Sequence, residues 1–128
     1  MTLASIGKAL ETAEETAAGN LPIDVEGISS RTESVLAMKM GTTTRAAMDG
    51  ATPAIIGHLN RLLCEQLGAD EDQEVEALVR KGYNLIDYAS RPSESTPTFG
   101  AYVYLRDAAS LTRRLLWIYT QHNGLGAP

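Results

Sequence analysis

The chain has 128 residues, of which 44% are hydrophobic and 21% charged, and its formal net charge is -5. This length suits one domain with a buried core, and the acidic balance argues against non-specific binding to nucleic acid or anionic membranes. Its single cysteine, Cys64, excludes an internal disulfide and favours a reducing compartment. We see neither a secretory signal nor an apolar run near the roughly 20 residues that span a bilayer, so we expect a cytoplasmic protein.

In the first part of the chain, apolar residues recur with the period of an α-helix. Steps of three and four residues predict an amphipathic helix over residues 2–18, which Gly19 and Asn20 end. A weaker pattern of the same kind predicts a second helix over 23–40. The apolar positions of the first helix are Leu3, Ile6, Leu10, Ala13 and Ala17.

Residues 41–52 form the least regular part of the sequence. We expect a turn, a short helical segment and then a second turn at Asp49 and Gly50. Thr52 as N-cap and Pro53 in the first helical position predict the next main helix over 53–67, with Gly68 as its stop.

Two further helices complete the fold. Asp70 and Gln73 have the spacing of a capping box and predict a helix over 71–90, in which Gly82 leaves room for a close neighbour. Thr96 as N-cap and Pro97 as first residue predict the last helix over 97–122. We therefore expect one all-α domain over 1–128, a compact bundle of four main helices plus a short irregular helical segment.

Patterns that would indicate catalysis are weak. His58 and Cys64 are six residues apart on one predicted helix, so they point to different sides, and we interpret them as a boundary histidine and a semi-exposed thiol. Tyr119 and His122 could form an acid–base pair, but core and end-cap roles explain them as well. The acidic residues of 70–76 suit a helix start without a metal. We therefore assign no catalytic residue, expect neither cofactor nor metal, and lean against an enzyme.

One stretch of the chain resembles a DNA-binding motif. Residues 36–43 have the leucine, alanine and glycine spacing of a helix-turn-helix, and positive charge lies nearby. The apolar anchors of a recognition helix would be Thr42, Ala47 and Gly50, which are unsuited to that role. The candidate DNA-binding residues are Lys39, Thr43 and Arg45.

The last predicted helix has two different faces. One carries the core residues Leu111 and Leu115. The opposite face combines aromatic residues with arginine, a composition that is typical of protein interfaces, and Arg113 could stack on Trp117. We interpret it as the interface of a homodimer or of an unlike partner, although burial against neighbouring helices is an alternative. Its candidate residues are Phe99, Tyr102, Arg106, Ser110, Arg113 and Trp117.

Three pieces of the chain from Thr52 onward resemble the sequence pattern of a known family. The first is Gly57-His58-Leu59 with Leu62-Leu63 and Glu65, and the second is a helix ending in Leu85-Ile86 before a proline loop. The third is the run 108–115 with Tyr119 and His122 after it. Over about residues 52–125 the chain resembles an uncharacterised family of small all-helical actinobacterial proteins described as natural-product biosynthesis proteins. The resemblance implies a biosynthetic or regulatory setting and brings no catalytic residues.

These observations favour a non-catalytic accessory or protein-interaction module. Two alternatives stay open: a helix-turn-helix DNA-binding regulator built around residues 29–50, and a small enzyme or ligand-binding protein that uses the bundle interior. We expect a protein partner, a second copy or an unlike chain, more than nucleic acid, and no membrane.

Overall fold

The computed structural model describes residues 23–124 of the chain. This part consists of four α-helices, α1 (Val25–Leu36), α2 (Arg45–Leu63), α3 (Gln73–Ile86) and α4 (Thr98–His122), with a 3-10 turn at Tyr88–Ser90. No strand occurs in these residues, so the predicted all-α bundle is confirmed. The predicted helix 2–18 lies outside the described residues.

The last helix is the centre of the bundle. α4 packs against each of the other three helices, and its residues take part in both buried apolar clusters. Leu62 of α2 and Leu115 of α4 are fully buried, as the apolar period predicted. Truncation of such a leucine to alanine typically costs about 2–5 kcal/mol, which is a large part of a small domain's stability.

The first described helix is shorter than the predicted span 23–40. Asp24 caps it by accepting a hydrogen bond from the Gly27 backbone, and its last helical residue is Leu36. The reason for the early end lies in the turn that follows, where the Thr43 hydroxyl accepts the backbone N–H of Lys39 at 3.2 Å. That N–H is thereby withdrawn from the helical pattern, and residues 39–43 form a turn of their own.

The second helix corrects the prediction of a turn at Asp49 and Gly50 and of a helix start at Thr52-Pro53. α2 begins at Arg45, where the Thr44 hydroxyl caps it, and it continues through Pro53 to Leu63. Pro53 has no backbone N–H to donate to the Asp49 carbonyl four residues earlier. Both residues are exposed, so water can donate to that carbonyl instead. What holds the first turns in the helix is Met48, which is fully buried in one core cluster with Ile55.

The third helix also differs at both ends from the predicted span 71–90. Its N-cap is Asp72, not Asp70, because the Asp72 carboxylate accepts the backbone N–H groups of Glu74 and Val75. Its last residue is Ile86, whose carbonyl is taken by the Arg91 guanidinium at 2.6 and 2.9 Å. Gly82 is buried against Leu63, whose side chain would lie 2.9 Å from an added Cβ, so the predicted close approach is confirmed.

The start of α4 is displaced by one residue from the prediction. Pro97 takes the N-cap position and Thr98 is the first helical residue. Thr96 does not cap the helix, because its hydroxyl accepts the backbone N–H of Ser93 at 2.9 Å. The predicted end is correct, with Asn123 as C-cap and Gly124 at a φ of 69°.

Candidate functional site

The side of α4 that faces away from the core is exposed along its whole length. Phe99 retains 63%, Val103 39% and Trp117 54% of its accessible surface, although the rest of the helix is largely buried. We call this side the α4 face. It consists of Phe99, Val103, Arg106, Asp107, Ser110, Arg113, Arg114 and Trp117.

The structure places most of the predicted interface residues on this face and corrects one. Phe99, Arg106, Arg113 and Trp117 are exposed, so α4 does not bury both of its sides against neighbours. Tyr102 is half-buried instead, because its hydroxyl reaches over the end of α1 and donates to the Met38 carbonyl at 3.3 Å.

Three members of the α4 face were missed from the sequence, Val103, Asp107 and Arg114. At about 100° per residue all three fall within about 80° of Phe99 and Trp117, so the helical period already contained the signal. The predicted interface followed single steps of three and four residues along one edge of the helix. The face is wider than that single row.

The three arginines of the α4 face are held in different ways. Arg106 donates to the Leu36 carbonyl at 3.2 Å, and Arg113 pairs with Glu33 of α1 at 3.4 Å. The Arg114 guanidinium lies 5.3 Å from the centre of the Trp117 ring. The predicted stacking of Arg113 on Trp117 is therefore wrong, since Arg113 is drawn sideways to the carboxylate of α1. The face combines fixed positive charge with exposed aromatic surface.

The candidate DNA-binding residues are not arranged as a recognition surface. Lys39 and Thr43 belong to the turn between α1 and α2, which runs from residue 37 to 44 and is longer than the usual three or four residues of a helix-turn-helix. Arg45 opens α2, but each of its three side-chain nitrogens donates within the molecule, to Asp49, Thr96 and Ser93. Its guanidinium is committed to the loop before α4.

That loop and α2 border a groove with a volume of about 670 Å³. Ile56 and Ile86 contribute its apolar surface, and Arg45 and Arg91 border it. Arg91 is held by the Ile86 carbonyl and lies 4.1 Å from the centre of the exposed Tyr88 ring. The Arg45 and Arg91 guanidinium groups at the border of the groove bind groups of the protein itself and hold the loop in place. We therefore assign these two arginines a structural role and not a role in binding a ligand.

The side chains considered for catalysis are not brought together. His58 is half-buried on α2, where Nε2 lies 3.3 Å from the Arg31 guanidinium. This contact makes Nε2 the acceptor, and burial together with the Arg31 charge lowers the pKa of His58. The Cys64 thiol is exposed, close to the prediction, but Cys64 is the C-cap of α2, which ends at Leu63 and not at the predicted residue 67. Tyr119 is buried, whereas His122 is exposed at the end of α4.

The acidic residues at the start of α3 are explained by that helix end. Asp72 caps α3, and Glu74 and Glu76 lie in its first turn, where the helix dipole favours negative charge. Within residues 23–124, no three His, Cys, Asp or Glu side chains are grouped so that they could hold a metal ion. In the same part of the chain, none of the helices has the length and apolar character to cross a membrane.

Comparison with protein-family models, with curated proteins and with solved structures finds no match to this chain.

Proposed function

We propose that this protein is a non-catalytic interaction module that binds a second copy of itself through the α4 face. The observation that carries the proposal is the exposure of Phe99, Val103 and Trp117 beside three arginines on the central helix. Aromatic residues and arginine are enriched where proteins bind each other, whereas a solvated helix face normally carries lysine and glutamate.

The order of residues on the face suits a two-fold axis that crosses α4 at Ser110, with the two helices antiparallel. Val103 and Trp117 are equally far from Ser110 along the helix, and so are Asp107 and Arg113. A two-fold pairing therefore brings apolar Val103 to the level of the partner's Trp117 and acidic Asp107 to the level of the partner's Arg113. The small exposed side chain of Ser110 lets the two backbones approach.

The one like-charged pair in this arrangement is Arg106 opposite the partner's Arg114. Both guanidinium groups are already turned to groups of their own chain, Arg106 to the Leu36 carbonyl and Arg114 to the Trp117 ring. Repulsion between them is reduced by these contacts and screened by salt.

Arg113→Glu tests the proposal by reversing a charge in both halves of the dimer. We expect the dissociation constant from sedimentation equilibrium to rise at least about tenfold, because a tenfold change needs only about 1.4 kcal/mol. The circular dichroism should stay helical, since the exposed pair with Glu33 is worth about 0–1 kcal/mol. Combining Arg113→Glu with Asp107→Arg restores opposite charges and should restore the dimer.

The matched control is Arg80→Glu, which makes the same charge change on the exposed side of α3, where the Arg80 side chain is 69% accessible. It should leave association unchanged. A dissociation constant that does not respond to Arg113→Glu would contradict the α4 face as the interface.

We also propose that the protein acts in the cytoplasm of a bacterium, in natural-product biosynthesis or its regulation. This part of the proposal rests on the resemblance alone. Deletion of the gene from an actinobacterial cluster that contains it should alter the yield of the product without removing a chemical step. Loss of one defined modification of the product would instead favour the enzyme alternative.

A further inference from the structure

Two arginines of the α4 face lie on the edge that borders α1. Arg106 donates to the Leu36 carbonyl at 3.2 Å, and Arg113 donates to the Glu33 carboxylate at 3.4 Å. Because both contacts reach α1, the two guanidinium groups share one side of α4. We call this side of the α4 face the α1 edge.

Glu33 supplies a carboxylate at the α1 edge and uses only part of it. Its Oε2 accepts from Arg113, and no hydrogen bond to its Oε1 occurs within residues 23–124. The Glu33 side chain keeps 59% of its accessible surface, and that of Arg113 keeps 58%. An ionised carboxylate offers about four acceptor sites, so a second guanidinium can reach Glu33 from the solvent side.

The two-fold pairing of α4 brings the α1 edges of both copies together. A two-fold axis perpendicular to two antiparallel helices reverses their direction but leaves each edge on the side where it was. With the axis at Ser110, the partner's Arg106 is level with Arg114, one residue from Arg113. The partner's Arg106 therefore arrives on the same side and at the same level as the pair of Arg113 with Glu33.

The charges at this level favour Glu33 as the acceptor of the partner's Arg106. There α4 itself presents Arg113 and Arg114, which repel a third guanidinium. The carboxylate that relieves this repulsion has to come from a neighbouring helix, and Glu33 of α1 lies at the required position. The axes of packed helices are about 8–10 Å apart, so the long side chains of arginine and glutamate can meet across the diagonal between α1 and the partner's α4.

We infer that α1 is a second element of the dimer interface, in which each Glu33 carboxylate is shared between Arg113 of its own chain and Arg106 of the partner. The inference rests on the proposed function, because it uses the same two-fold pairing of α4. Symmetry forms the contact twice in each dimer. The partner that fits the α1 edge is therefore a copy with a carboxylate and a guanidinium at these two positions.

Glu33→Arg and Arg106→Glu test the contact by sedimentation equilibrium. Each variant alone sets like charges at both copies of the contact, so we expect its dissociation constant to rise at least about tenfold. A one-to-one mixture of the two variants sets opposite charges at both copies instead. It should dimerise with a dissociation constant within about fivefold of the parent's, because the pair forms between chains. Circular dichroism should show that both variants keep their helices, since Glu33 and Arg106 are exposed.

The matched control is Glu76→Arg, which makes the same charge change in the exposed ion pair with Arg80 on α3, where the Glu76 side chain is 56% accessible. It should leave the dissociation constant unchanged. If the parent dimerises but Glu33→Arg binds as the parent does, or the mixture binds no better than its two components, the inference is overturned and the homodimer stands. A parent that stays monomeric at every concentration overturns the homodimer, and the shared carboxylate with it.

Discussion

The guanidinium of Arg45 joins the first turn of α2 to the loop that precedes α4. Its Nε donates to Asp49 at 2.9 Å, and its two terminal nitrogens donate to the Thr96 and Ser93 carbonyls at 2.6 and 2.8 Å. The planar fork of arginine suits three such acceptors, and a lysine could serve only part of them. A residue that the sequence offered as a DNA contact thus acts as a structural clamp.

Arg45→Ala should lower the free energy of unfolding by about 1–3 kcal/mol, because the partly buried contact to the Thr96 carbonyl and the exposed contact to the Ser93 carbonyl are both lost. Arg45→Lys should recover only part of that loss. Urea unfolding followed by circular dichroism measures both. Arg80→Ala is the control, and a surface substitution of this kind should stay within about 0.5 kcal/mol. Equal stability of the two alanine variants would show that the clamp contributes nothing.

His58 gives the molecule a dependence on pH with a definite sign. Burial, and secondly the charge of Arg31, lower its pKa below 6.5, and Asp24 partly opposes them. The unfolded chain therefore binds this proton more readily than the folded chain. The stability that neutral His58 contributes is complete above pH 6.5 and is lost as the pH falls through that value towards the lowered pKa.

His58→Gln should make the stability less sensitive to pH, because glutamine keeps an acceptor for Arg31 and does not titrate. We expect the parent to lose more thermal stability than the variant when the pH falls from about 7.5 to about 5.5, the range in which histidine titrates. Scanning calorimetry of both proteins measures it. Parallel curves for the two would show that the proton on His58 is not linked to folding.

At the scale of one helix, α2 shows where local signals mislead. Asp49, Gly50, Thr52 and Pro53 are turn and helix-start residues by type, and together they predicted a break. Tertiary packing decides otherwise, since Met48 and Ile55 lie seven residues apart on one side and both fill the core. The Thr52 hydroxyl donates to the Met48 carbonyl at 2.8 Å, which is the bond of a threonine inside a helix, whereas an N-cap hydroxyl would accept a backbone N–H.

Gly50→Ala distinguishes the continuous helix from the predicted turn. Gly50 is an exposed interior residue of α2, and an added Cβ would meet no atom within 4 Å. The variant should gain about 0.5–1 kcal/mol in the free energy of unfolding, because alanine loses less entropy in a helix. Gly68→Ala, at a φ of 84°, should instead be destabilised. A Gly50→Ala variant that unfolds more easily than the parent would contradict the continuous helix and support the predicted turn at Asp49 and Gly50.

For the whole molecule, the apolar period was enough to predict the fold class and the burial of Leu62 and Leu115. It could not predict where helices end, because those ends depend on which side chains beyond a helix form hydrogen bonds with its last backbone groups. The Arg91 guanidinium on the Ile86 carbonyl and the Thr43 hydroxyl on Lys39 are examples. The exposed side of α4 was visible as a row of aromatic and arginine residues. The contact of Arg113 with Glu33, 80 positions earlier, was not.

The central place of α4 also has a consequence for synthesis of the protein. During translation α1, α2 and α3 are made before the helix on which all of them pack. Their apolar sides therefore leave the ribosome without the surface that later buries them, and the α2–α3 contact at Gly82 is the main packing they can form alone. A nascent chain arrested after Ile86 should be cut readily by protease and held by chaperones. Protection should arise in one step once His122 has emerged.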